Sequence, residues 1–217
     1  MNLKKPVKNI VIFGDSYSTY DQYVPEGYAI WYSADYKPET DVFRVEDTWW
    51  HGLCTELSLN LVRNDSWSGS TICYTGYNGD CSKTNSFIYR MEKLAEEGFF
   101  RDNEIDTVFV FGGTNDCWAN APLGELKFEN IEREDLFGIR PAVAYMAARL
   151  KELLPEANII FLVNTELKPE FEEAVRAVSE HYGTEVLVFD HIEKMHNHPC
   201  IQGMTEIKEQ VKAFLMK

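Results

Sequence analysis

The chain has 217 residues, 45% hydrophobic and 26% charged, enough for one α/β domain with a buried core and unlike a disordered chain. Its formal net charge of −14 argues against nucleic acid, whose phosphates are held by clustered Lys and Arg, and against an anionic membrane surface. No window reaches the ~18 apolar residues that cross a bilayer, so no membrane insertion is expected.

The lysine-bearing start, Met1 to Lys8, runs straight into Asn9-Ile10-Val11-Ile12-Phe13. That apolar stretch is too short for a secretory leader and reads as a first strand, Ile10–Phe13, which makes a cytoplasmic address the default expectation. Tyr17–Asp47 comes next, rich in Tyr, Trp and Pro; a loop of that length in a compact domain is usually functional or irregular. A helix is expected over Thr48–Leu57, a strand over Leu59–Val62, a helix over Phe87–Glu97 and a strand over Thr107–Phe111. Beyond a second long mixed stretch, Cys117–Phe137, come a helix over Ile139–Leu154, a strand over Ile159–Val163, a helix over Pro169–Tyr182 and a strand over Val186–Phe189. The last helix, Ile201–Met216, carries Ile201, Met204, Ile207, Val211, Phe214 and Leu215 close to helical spacing.

Short apolar runs alternating with helical patterns predict a parallel sheet covered on both faces, in one domain over residues 1–217. The cysteines, at 54, 73, 81, 117 and 200, are odd in number and irregularly spaced, which argues against a disulfide framework.

The segments just past the strands carry the chemistry. Gly14-Asp15-Ser16 stands after the first, Ser68-Gly69-Ser70 after the second, Gly112-Gly113-Thr114-Asn115-Asp116 after the third and His196-Asn197-His198-Pro199 shortly after the fifth. In an open parallel sheet such loops share the carboxyl edge, where ligands bind. A serine hydroxyl needs an adjacent imidazole to take its proton before it attacks a carbonyl, which casts Ser16 as nucleophile and His198 as general base. The resulting oxyanion needs donors: the backbone N–H groups of Ser16 and Gly69 and the Asn115 side-chain amide are the candidates. Glycine at position 69 would let the backbone approach the substrate.

These four blocks, with Gly203-Met204 after the histidine, resemble in order and spacing those of the SGNH/GDSL hydrolase superfamily. The resemblance implies a flavodoxin-like three-layer α/β/α sandwich with a five-stranded parallel sheet. It also implies an acyl-serine intermediate formed without metal or other cofactor, and substrates among acetylated sugars, lipids and thioesters. One position departs from the pattern: the family usually places an aspartate three residues before the histidine, and here stands Met195. Glu166, after the fourth strand, is the first candidate for the orienting acid. Asp190, Glu193 and a backbone carbonyl are the alternatives.

The favoured expectation is hydrolysis of a small acyl ester, with O-deacetylation of a carbohydrate as the preferred case. The aromatic-rich stretches Tyr17–Trp50 and Trp67–Tyr77 would form a wall for a sugar ring, or else pack the loops. The alternatives are a lysophospholipase or thioesterase acting on longer chains, and a non-catalytic glycan-binding module on the same scaffold. His196-x-His198-x-Cys200 has no second ligand cluster to complete a metal site. No Gly-x-Gly-x-x-Gly stands after the first strand and no Gly-Lys-Ser/Thr occurs anywhere, so phosphate binding lacks its usual cradle.

Overall fold

A computed structural model describes residues 7–216; of the lysine-bearing start, Met1 to Pro6 lies outside the described residues. In chain order the elements are β1 (Asn9–Gly14), α1 (Trp49–Leu57), β2 (Asn60–Ser66), β3 (Thr75–Gly76), β4 (Gly79–Asp80), α2 (Phe87–Glu96), α3 (Phe99–Asp102), β5 (Thr107–Phe111), α4 (Thr114–Trp118), α5 (Ile139–Leu153), β6 (Asn158–Val163), α6 (Pro169–Tyr182), β7 (Glu185–Val188), β8 (Lys194–Met195), β9 (His198–Pro199) and α7 (Ile201–Leu215). Five of the strands form one parallel sheet in the order β2-β1-β5-β6-β7. The β3–β4 and β8–β9 pairs are separate antiparallel hairpins.

Alternation along the strands sorts the core into two faces. Val11 and Phe13 of β1, Val108 and Val110 of β5, and Ile159 and Phe161 of β6 face a layer of α2, α5 and α6, where Met91, Val143, Met146 and Val175 are buried. Ile10, Ile12, Phe109, Phe111, Ile160 and Leu162 face α1 and α7 and pack on Trp49, Trp50, Leu53, Ile207 and Val211. This is the expected flavodoxin-like three-layer α/β/α sandwich. Every sheet residue from Ile10 to Phe13 is buried on one face or the other, which explains why these strands read as continuous apolar runs.

The expected helices and sheet strands all form, with ends shifted by a few residues. The largest change is at β2, which runs on through the polar Arg63-Asn64-Asp65-Ser66 where the sequence pattern ends at Val62. The extension buries Asn64, Asp65 and Ser66, and each is paired. Asn64 Nδ2 donates to Ser18 O at 2.8 Å, and Ser66 Oγ donates to Asn64 Oδ1 at 2.6 Å. Asp65 takes Arg63 at 2.6 Å and the buried Arg90 at 2.5 Å.

Candidate active site

The carboxyl edge of the sheet brings the expected residues together. Chain leaving β1 enters a short turn, Ser16–Ser18, capped by Asp15, whose Oδ1 accepts from Tyr17 N at 3.0 Å. Ser16 Oγ lies 3.0 Å from His198 Nε2, although 182 residues separate them. His198 stands on the β8–β9 hairpin just after a two-residue turn. His196 (φ 48°) and Asn197 (φ 64°) both take the left-handed backbone that a type I′ turn demands.

That hairpin decides what orients the imidazole. His198 Nδ1 faces His196 O at 3.0 Å. A carbonyl only accepts, so the ring carries its proton on Nδ1 and presents a free lone pair at Nε2 to the serine hydroxyl. Glu166 is therefore not the orienting acid in this structure. Its carboxylate pairs with Lys194 Nζ at 3.1 Å, and its side chain is 82% exposed. Neither of the two other candidate acids takes that place, which His196 O fills: the Glu193 carboxylate is 3.5 Å from His191 Nε2, and Asp190 is exposed just past β7. Met195, at the position the family gives to aspartate, is exposed on β8 and directly opposite His198 in the hairpin.

The three candidate oxyanion donors lie on the segments that follow β1, β2 and β5, at the same edge of the sheet as Ser16. Among the described residues, the N–H groups of Ser16 and Gly69 donate to no acceptor within the protein. Gly69 has φ +78°, a backbone conformation that favours glycine, and a Cβ placed there would meet no protein atom within 4 Å. Asn115 is held at both ends of its amide. Nδ2 donates to Ser70 O at 3.0 Å, and Oδ1 accepts from Tyr77 OH at 2.9 Å. This fixes the amide so that the second N–H of Nδ2 remains for a ligand. Asp116 ties the two donor loops together by accepting from Ile72 N at 2.9 Å and Cys73 N at 3.0 Å. Gly113, opening α4, has φ +93° and lies so close to Phe171 that a Cβ would fall 2.0 Å from its ring.

The electrostatics differ from those of a site built on a carboxylate. Burial, with a smaller contribution from the Lys37 ammonium, lowers the His198 pKa to about 4. Burial, aided by Asp116, raises that of Asp15 to about 7. One oxygen of Asp15 is buried with no partner, which suits a neutral carboxyl better than a full charge. No group of three or more metal-ligating side chains occurs among the described residues.

Several residues that shape the site are marked in the sequence only by lying in its aromatic-rich stretches. Trp31 lies parallel to His198, 3.6 Å between centroids and 8° between planes. Tyr17 OH donates to Asn197 O at 2.6 Å, and Tyr32 OH donates to Pro199 O at 2.8 Å, so the Tyr17–Asp47 loop grips the hairpin that carries the histidine. Tyr77 sits at the tip of β3–β4, a hairpin of only two residues per strand.

Comparison with known proteins agrees with this geometry. A family model for GDSL-like lipase/acylhydrolase matches residues 8–215. A chain from Bacteroides ovatus assigned as a GDSL-like lipase is 44% identical, with a TM-score of 0.88 over 97% of this chain and 98% of that one. A chain from Bacteroides uniformis with the same assignment is 40% identical, with a TM-score of 0.88 over 96% and 95%. An acetyl xylan esterase from the rumen bacterium Butyrivibrio proteoclasticus shares the fold at 15% identity, with a TM-score of 0.62 over 99% of this chain and 65% of that one. No curated protein sequence matches. With the motif blocks in order, the sandwich around them and a family match spanning nearly the whole chain, the protein belongs to the GDSL-like lipase/acylhydrolase family and is an ester-bond hydrolase.

Proposed function

We propose that the protein cleaves small acyl esters through an acyl-Ser16 intermediate, with the O-acetyl group of a carbohydrate as the favoured substrate. The observation that carries the reading is the 3.0 Å contact from Ser16 Oγ to His198 Nε2, with the other ring nitrogen satisfied by His196 O. Nε2 takes the serine proton as Oγ attacks the carbonyl carbon. The oxyanion that forms is met by the N–H groups of Ser16 and Gly69 and by Asn115 Nδ2. His198 returns the proton to the departing alkoxide. The same base then activates the water that releases the acid. No cofactor is needed for any of these steps.

The surroundings support a short acyl group and a polar partner. A long acyl chain needs an apolar trough. The cavity of about 430 Å³ beside Gly69 mixes the polar side chains of Asn78, Asp80, Thr84 and Asn85 with the aromatic Trp67 and Tyr77. Ring faces beside hydrogen-bonding groups suit a sugar. The longer-chain lysophospholipase or thioesterase reading stands as the alternative, separated by acyl-chain preference.

Hydrolysis of p-nitrophenyl esters of increasing chain length by wild type, Ser16→Ala, His198→Ala and Glu166→Gln tests the proposal. Expected is highest turnover on the acetyl ester, a loss on the order of 10⁴–10⁶-fold for the first two variants and little change for the third. Turnover indifferent to Ser16 would overturn the mechanism. Folded wild type inert towards every ester would instead favour a glycan-binding module.

A further inference from the structure

The catalytic histidine of a hydrolase is ordinarily fixed by a carboxylate that sets its tautomer, holds its plane and steadies its positive charge. In this protein the His196 carbonyl does only the first of these. A single hydrogen bond at Nδ1 leaves the ring free to swing about its Cβ–Cγ bond, and the carbonyl brings no charge. Yet one face of the imidazole is covered by the Trp31 indole, parallel to within 8° at 3.6 Å. Tyr17 approaches from another side, with 5.6 Å between centroids and the planes inclined at 59°.

We propose that Trp31 is a positioning residue for His198: its stacked indole holds the imidazole plane on the line to Ser16, and Lys37 acts on the same base across that indole. The inference rests on the reading of Ser16 and His198 as nucleophile and base.

The stack is anchored from below. Trp31 N donates to Thr19 Oγ1 at 2.8 Å, and Thr19 Oγ1 donates to Ser16 O at 3.0 Å. Nucleophile and indole are thus tied to one threonine. The next residue, Tyr32, donates to Pro199 O, adjoining the histidine. Any rotation of the imidazole out of its plane must displace an indole whose own backbone is held by Thr19 and whose chain neighbour Tyr32 is held by Pro199. Lys37 Nζ lies 4.2 Å from the Trp31 ring centroid. A face already covered by a parallel ring at 3.6 Å has no room for it, so the ammonium occupies the opposite face. An indole face attracts a cation, and here two groups compete for one ring: the lysine, charged throughout, and His198 once it has taken the serine proton. The lysine therefore disfavours the imidazolium, which returns its proton more readily to the leaving alkoxide.

The other groups around His198 leave this effect to Lys37. Ser16, Tyr17 and Tyr32 present hydroxyls, and burial raises the pKa of both tyrosines. Asp15 is buried and turned to Tyr17 N. Glu166 is engaged by Lys194, and Glu39 faces Lys37 itself.

The test compares wild type, Trp31→Ala, Trp31→Phe and Lys37→Met in p-nitrophenyl acetate hydrolysis across the acid limb, with Ser16→Ala as background. His198 is titrated in each protein by NMR of isotope-labelled histidine. Expected for Trp31→Ala is a fall in kcat of about 10²-fold, the scale of an ångström of misplacement, with KM changed far less. Trp31→Phe restores most of it. Lys37→Met moves the His198 midpoint and the acid limb of kcat/KM to higher pH by about half a unit or more. A Trp31→Ala kcat within threefold of wild type, or a loss matching only its unfolded fraction and not rescued by phenylalanine, overturns the positioning role. A His198 midpoint unmoved in Lys37→Met overturns the lysine's part. Wild-type turnover equal to Ser16→Ala would fail the mechanism instead. The NMR midpoints then still judge the stack, since they need no turnover: unmoved values in Trp31→Ala and Lys37→Met overturn it, and shifted values uphold it.

Discussion

Tyr77 contributes a hydroxyl at a point where its ring is half in solvent, and the single bond to Asn115 Oδ1 at 2.9 Å gives it a job. Ser70 O already selects the amide orientation at the other end, so Tyr77 limits the wobble of a donor whose direction is set. Tyr77→Phe is expected to lower kcat about fivefold on an acetyl ester, the worth of ~1 kcal/mol, and to leave KM nearly unchanged. Steady-state kinetics on the two proteins decide it, and an unaltered kcat would mean that Ser70 O suffices. At this scale the sequence was partly legible. The convergence of Ser16, Gly69, Asn115 and His198 could be read because strand ends define a rim. Trp31 and Tyr77 could not, because a side chain that acts through another carries no motif of its own. Topology points to Glu166 as the acid, since β6 and β7 are neighbours, but the mostly buried Lys194 reaches it first.

Among the elements, α2 supplies a residue that joins the loops of the catalytic rim. Arg90 is 1% exposed, pairs with Asp65 Oδ1 at 2.5 Å and also donates to Asp65 O. It reaches Gly14 O at 3.3 Å, Ser70 Oγ at 3.2 Å and Asn85 O at 3.0 Å. One guanidinium thus holds the end of β1, the end of β2, the loop bearing Gly69 and the segment leading into its own helix. Its planar fork of donors suits it for this where a lysine would not. Arg90→Met should destabilise the fold by about 3 kcal/mol, because Asp65 is left buried with only Arg63 as a partner. Urea unfolding measures the change, and a loss below about 0.5 kcal/mol would show the network to be dispensable. The sequence hid this network by its polarity: Arg63 to Ser66 read as loop because the pattern recognises burial by apolar residues and is blind to polar residues that bring their own partners. The two small hairpins escaped for the opposite reason. Two residues per strand are too few for any period to register.

Taken whole, the molecule carries two opposed proton linkages at its rim. Asp15 has a pKa of about 7 in the fold against 3.8 outside it. Its contribution to stability is complete below the unfolded value and is lost as pH rises through about 7. His198 has a pKa of about 4 against 6.5, so its contribution is complete above 6.5 and is lost as pH falls through about 4. Between roughly those limits the two slopes oppose each other. His198→Gln should therefore make stability fall with rising pH between about 4 and 7, and Asp15→Asn should make it rise over the same window. Thermal midpoints of the two variants across that range are the measurement, and parallel curves would refute the opposition. The architecture itself was the most legible feature of the chain. Runs such as Ile10–Phe13 and Thr107–Phe111 are apolar on both faces because helices cover both, so element type and sheet class come out of one pattern.

The placing of β1 has a consequence for how the chain is made. This strand lies inside the sheet, between β2 and β5, and every residue from Ile10 to Phe13 is buried. A ribosome delivers it first among the sheet strands, yet its second neighbour begins only at Thr107. At about 5–20 residues per second, the nascent chain holds an apolar strand with one edge unpaired for some 5–20 s. The Ser16–His198 pair comes later still, since His198 follows β7, the last strand of that sheet to be made. Such a chain brings the pair together only after all five strands of the sheet have emerged. Until then this apolar strand is a natural handle for a chaperone.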